Sequence, residues 1–175
     1  MPVVKGGVIE TFEESTSVYE EGFIDIADSA TSLIPLPLPA GVETLLENDG
    51  LGEYSSTEFM PESVSNVWAD NQFDFSELSL GSEVFMRIDL LVTTTFANTD
   101  IDLNMLLGGG LVPFTLPVIS SKSFKNSGTY QIVETIPFYI GNLNALNGFA
   151  QLLITSDKLA SVLVNGFYLS IKKRL

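Results

Sequence analysis

Residues 84–96 alternate in polarity with a period of two, and this pattern constrains the fold more than any other feature of the chain. Val84, Met86, Ile88, Leu90, Val92, Thr94 and Phe96 fall on one face of an extended segment. Arg87, Asp89, Thr93 and Thr95 fall on the other, with Phe85 and Leu91 as apolar exceptions. A helix would scatter these side chains around its axis, whereas a strand with one face on a core sorts them. The segment is therefore read as a strand of an antiparallel sheet whose second face meets solvent.

The same signal recurs downstream. Ile101, Leu103, Met105 and Leu107 alternate with Asp100, Asp102 and Asn104 until Gly108, Gly109 and Gly110 let the chain turn. Val112, Phe114, Leu116 and Val118 mark a proline-bearing strand. After the turn signal Asn126-Ser127-Gly128, the side chains of Tyr130, Ile132, Ile136, Phe138 and Ile140 share a face. Pro137 has no ladder donor, which puts that run on a sheet edge or at a bulge. Residues 141–148 read as a loop, and residues 149–155 and 161–172 as the last two strands. Shorter strands are expected at 23–26, 42–46 and 73–75. About eight strands with regular turn signals indicate an all-β antiparallel sandwich, best fitted by a jelly roll. An immunoglobulin-type sandwich fits less well, because its paired cysteines are missing.

The first forty residues are different in kind. Glu10, Glu13, Glu14, Glu20 and Glu21 crowd together, and residues 33–39 alternate apolar side chains with proline. The expected organisation is an acidic, extended N-terminal arm over 1–40 and a jelly-roll domain over 41–175. A frayed terminus followed by one edge strand fits the same residues.

Composition narrows the chemistry. With no His and no Cys, the chain lacks the usual neutral-pH base, thiolate ligands and disulfides, and no cofactor or metal is expected. At 45% hydrophobic and 17% charged it is too apolar for a disordered protein, and part of its surface is expected to be covered by other subunits. The net charge of −14 divides into −16 over residues 1–83 and +2 over residues 84–175. The only cationic cluster is Lys172, Lys173 and Arg174, too small a footprint for nucleic acid. No apolar run is long enough for a membrane helix, and no signal peptide is visible.

Candidate sites are few. Asp89, Asp100 and Asp102 could supply a carboxylate pair for glycoside cleavage, but the alternation favours a solvated outer face for them. Asp100-x-Asp102-x-Asn104 opens like a calcium loop but lacks the glycine and glutamate that such a loop needs at its sixth and twelfth positions. Gly50-Leu51-Gly52-Glu53-Tyr54-Ser55 lacks the last glycine of a dinucleotide fingerprint and reads as a turn. Trp68, Phe73 and Phe75 cluster around Asp70-Asn71, where they could anchor an interface, stack on a sugar or fill a core. Phe85 and Leu91, apolar on a polar face, are the remaining interface candidates.

Five blocks resemble small virion proteins of tailed bacteriophages. They are Leu46-Glu47-Asn48-Asp49-Gly50-Leu51-Gly52; Phe73-Asp74-Phe75-Ser76-Glu77-Leu78-Ser79-Leu80-Gly81; Met86-Arg87-Ile88-Asp89-Leu90-Leu91-Val92-Thr93-Thr94-Thr95; Phe124-Lys125-Asn126-Ser127-Gly128-Thr129-Tyr130; and Val164-Asn165-Gly166-Phe167-Tyr168. The resemblance implies a trimeric jelly roll on the particle surface and adds no active-site residues. The expected function is thus non-enzymatic: a capsid decoration (cement) protein of the virion, bound to copies of itself and to the major capsid protein or another virion protein. The alternative is a fibre, collar or tail component serving as a host-glycan binding or adaptor module.

Overall fold

The alternating segment forms β6 (Glu83–Thr94), the central strand of one sheet in the computed structural model, which describes residues 18–175. Around it the chain builds β1 (Tyr19–Ala27), α1 (Ala30–Leu33), β2 (Leu36–Leu38), β3 (Thr44–Leu45), β4 (Trp68–Ala69) and β5 (Gln72–Asp74). After β6 come β7 (Thr99–Gly109), β8 (Phe114–Phe124), β9 (Gly128–Tyr139), α2 (Leu143–Asn147), β10 (Phe149–Ser156) and β11 (Ala160–Arg174).

The strands form two antiparallel sheets. The first runs β1-β11-β6-β9, with β2 also on β11; the second runs β4-β5-β10-β7-β8, with β3 also on β10. Counting only β1 and β5 to β11, the eight strands fall into the two sheets in the orders 1-8-3-6 and 2-7-4-5. This is a jelly roll. Val84, Met86, Ile88, Leu90 and Val92 point inward and are wholly buried, as are Ile101, Leu103 and Met105 of β7. Phe96, expected on the same face as Val84, lies past the end of β6 and is half exposed.

Of the residues expected as an arm, 19–38 carry β1, α1 and β2, all against β11. Residues 1–17 of that arm lie outside the described residues. β1 and β2 follow one line along β11, interrupted by α1. Asp28, almost fully buried, holds the interruption: its carboxylate accepts the N–H of Thr31 at 2.8 Å and of Asp49 at 2.8 Å, and the Thr31 hydroxyl also donates to it. The Thr31 hydroxyl in turn accepts the Val164 N–H at 2.9 Å. Buried Asn48 donates to the Ile26 carbonyl at 2.8 Å and accepts the Gly50 N–H.

Candidate assembly surface

The first sheet exposes a face whose composition follows from the β6 pattern. With even-numbered residues of β6 inside, Glu83, Phe85, Arg87, Asp89, Leu91 and Thr93 point out. Pairing with β9 sets Pro137 opposite Phe85, Tyr139 opposite Glu83 and Val133 opposite Asp89. Phe85 is 48% exposed, Tyr139 68% and Val133 44%. Gly81, Glu83, Phe85, Pro137, Phe138 and Tyr139 line an open recess of about 430 Å³ at this end of the sheet. An apolar cluster in register on two strands of a solvated face is the kind of patch that a partner covers.

Of the five interface candidates, Phe85 belongs to this patch. Leu91 lies farther along β6, half buried between Leu163 on β11 and Gln131 on β9. Phe73 and Phe75 correct the interface alternative, because both are wholly buried and present no surface. Their rings, 6.1 Å apart, reach across the sandwich to Phe167 (5.6 Å from Phe73) and Phe138 (5.6 Å from Phe75). Trp68 packs its half-buried ring on Phe73 at 4.4 Å and Phe167 at 5.4 Å, so most of that ring serves the core edge. Pro137 and Tyr139 were missed. The signal for them was present: if Ile136 and Phe138 face in, the apolar residues on either side face out.

The three carboxylates do not share one face. Asp89 lies on the outer face of the first sheet, while Asp100 and Asp102 lie on the outer face of the second. Packed sheets stand about 10 Å apart with the core between, so Asp89 cannot pair with either for acid–base work. Asp102 accepts the Ser121 N–H at 2.6 Å, and Asp157 accepts the Asp100 N–H at 2.7 Å. Among the described residues no group of three or more acidic side chains is placed to hold a metal ion, and no helix is long and apolar enough to cross a membrane.

Lys172 and Lys173 of the C-terminal cations are engaged within the chain. Lys172 stands 4.5 Å over the Tyr19 ring. Lys173 donates to the Ser63 hydroxyl at 2.6 Å, and Ser63 binds Glu20 through both its hydroxyl and its N–H. The Ser63 hydroxyl, its N–H and the nearby Lys173 hold the Glu20 carboxyl below the usual range. Glu77 is lowered in the same way, by the Ser65 hydroxyl, the N–H groups of Ser65 and Asn66, and Lys173.

The edges of the first sheet are treated unequally. β1 is covered by the loop between β3 and β4: Phe23 N–H donates to the Phe59 carbonyl at 2.8 Å, Asp25 exchanges two bonds with Ser56, and Ala27 N–H donates to the Ser55 hydroxyl at 3.0 Å. Among the described residues β9 pairs with β6 alone and β8 with β7 alone, so each stands at the edge of its sheet there. Pro137 and Pro117 interrupt their donors. The Lys122–Glu134 ion pair, 3.1 Å, and the Phe124–Tyr130 rings, 4.5 Å apart, tie the two edges together.

No family model and no curated protein matches the chain. Solved structures do. A chain of the T13 viral particle of IBDV aligns with 99% of this chain and 36% of its own length, with a TM-score of 0.51 and 12% identity. The likeness is one of fold. The infectious bursal disease virus Gx strain aligns at a TM-score of 0.49 and 12% identity, over 99% of this chain and 37% of that one. The Tobacco streak virus coat protein dimer aligns at 0.37 and 14%, over 89% and 88%. The chain thus spans little more than a third of the first two.

Proposed function

We propose that this protein is a non-enzymatic structural component of a virion that works by assembling with copies of itself and with a larger shell. The observation that carries this reading is the exposed apolar cluster of Phe85, Pro137 and Tyr139 in register on the outer face of a jelly-roll sheet. Isolated monomers seldom leave such a patch uncovered. The fold likeness to a chain of a viral particle supports the same reading, as does the resemblance of five sequence blocks to tailed-phage virion proteins. The finer form of the proposal is a capsid decoration trimer whose subunits bury this patch against one another and whose opposite face or N-terminal residues reach the major capsid protein.

The test is the mass of the full chain by sedimentation equilibrium at micromolar concentration. A trimer that dissociates in Phe85→Ser/Tyr139→Ser supports the reading. A mass that this double substitution leaves unchanged moves the interface elsewhere on the molecule.

A further inference from the structure

We infer that the centre of the first sheet's outer face carries a binding site for neutral sugar, distinct from the apolar cluster at its end. Two glycines let the backbone pack closely beneath it, and a bulge turns Asn165 towards it. Along β11 the register shifts between Val164 and Gly166, which pushes Asn165 outward. Gly166 carries no side chain where a Cβ would meet the Ile26 carbonyl oxygen at 2.9 Å, and β1 closes on β11 there. Gly52 lies so close to β1 that a Cβ would stand 2.7 Å from that of Ala27, and its N–H donates to the Ala27 carbonyl at 2.9 Å. Ala27 and Gly166 line the recess between the longer side chains of Tyr54, Arg87 and Tyr168. The 50–55 turn, strapped across the end of β1, leaves Tyr54 beside the opening and 77% exposed.

The walls are suited to hydroxyl-rich rings. A recess of about 330 Å³ is lined by Asp25, Tyr54, Arg87, Asp89, Asn165 and Tyr168. A second, of about 470 Å³, shares Ala27, Tyr54, Asp89 and Asn165, so the two form one groove around Tyr54. Each is of the size that holds a small ligand. Asp89 accepts from Asn165 Nδ2 at 2.8 Å, Gln131 Nε2 at 3.1 Å and Arg87 Nη2 at 3.2 Å. These bonds fix Arg87 and Asn165 at the groove, with Gln131 bracing Asp89 from β9, and turn the Asn165 amide oxygen away from the carboxylate as an acceptor. An amphipathic tyrosine face beside preset planar donors and acceptors matches the two chemistries of a sugar, its C–H face and its hydroxyls. Asp25, Asp89 and Glu53 outnumber Arg87 around the groove, which disfavours anionic sugars.

The site stands independently of the assembly reading, and one experiment separates them. The full chain is titrated by calorimetry with cellotriose, maltotriose and chitotriose, and with sialyllactose as the anionic comparator. At least one neutral trisaccharide is expected to bind saturably and more tightly than sialyllactose. Tyr54→Ala and Asn165→Ala are each expected to weaken it about tenfold. Phe85→Ser, which addresses assembly, is expected to leave it unchanged. Melting temperature reports whether the Asn165 variant is folded, and the exposed Tyr54 is removed without disturbing the core. No saturation with any neutral sugar up to ~10 mM, the range of weak recognition, would overturn the site. Binding undiminished in Tyr54→Ala, or equal for sialyllactose, would do the same.

Discussion

Asp28 shows how much of the irregular part of this chain hangs on single side chains. Its carboxylate is the shared acceptor for Thr31 at the start of α1 and for Asp49 in the loop beyond β3. Alanine there leaves the buried Thr31 N–H and the part-buried Asp49 N–H without this partner, at a desolvation cost that is largest for Thr31. Asp28→Ala is expected to lower the unfolding free energy by about 2 kcal/mol in urea denaturation, and Asp28→Asn, which keeps one acceptor oxygen, by less. Glu20 and Glu77 act through charge. Both have carboxyls held below the usual glutamate range by serine donors and Lys173, so the folded state binds fewer protons there than the unfolded state. Their contribution is present in full above pH 4.5 and is lost as pH falls through the folded values. The melting-temperature gap between the native chain and Glu20→Gln/Glu77→Gln is therefore expected to be open at pH 6 and to close in acid. A gap that persists at pH 3 would point to packing in place of charge.

At the scale of elements, the protection of β1 depends on how closely residues 55–61 lie against it. Gly22 permits this approach: a Cβ there would sit 2.4 Å from Pro61 N and 2.5 Å from the Phe59 carbonyl oxygen, both backbone. Gly22→Ala is expected to push this cover away, destabilising the fold by about 1–3 kcal/mol and leaving edge donors open to aggregation, both visible in a thermal melt followed by turbidity. The long strands were legible from the sequence because burial on one face imposes the period of two: β6, β7, β9, β10 and β11 all follow it. Pro137 correctly marked an edge. β8 was legible only at its start, since bulges and the left-handed Ser121 (φ 58°) break its alternation through a serine-rich stretch. α1 and α2 have four and five residues, too short for any helical period to show. Phe73 and Phe75 were ambiguous because β5 has only three residues and Phe75 lies just past its end, too few neighbours to reveal an inward face. Tyr54 and Asn165 escaped notice because loop strapping and a register shift position them, and neither leaves a periodic trace.

The whole molecule combines a closed interior with an unevenly charged, partly apolar exterior. Its side-chain balance of −14 means that like subunits repel at long range, while the patch around Phe85 favours contact at short range. Association is therefore expected to strengthen between about 50 and 500 mM salt as the repulsion is screened; weakening with salt would indicate ion pairs as the main cohesive element. Phe85 and Tyr139 are exposed, so replacing both with serine is expected to change the stability of the isolated subunit by no more than about 0.5 kcal/mol each. The most direct measurement is then light scattering on the full chain and on Phe85→Ser/Tyr139→Ser, side by side at micromolar concentration. A self-assembling jelly roll gives a trimer for the native chain and a folded monomer for the variant. A native chain that stays monomeric up to ~100 μM in both low and high salt, well above the concentrations at which specific interfaces hold, would contradict assembly through this face.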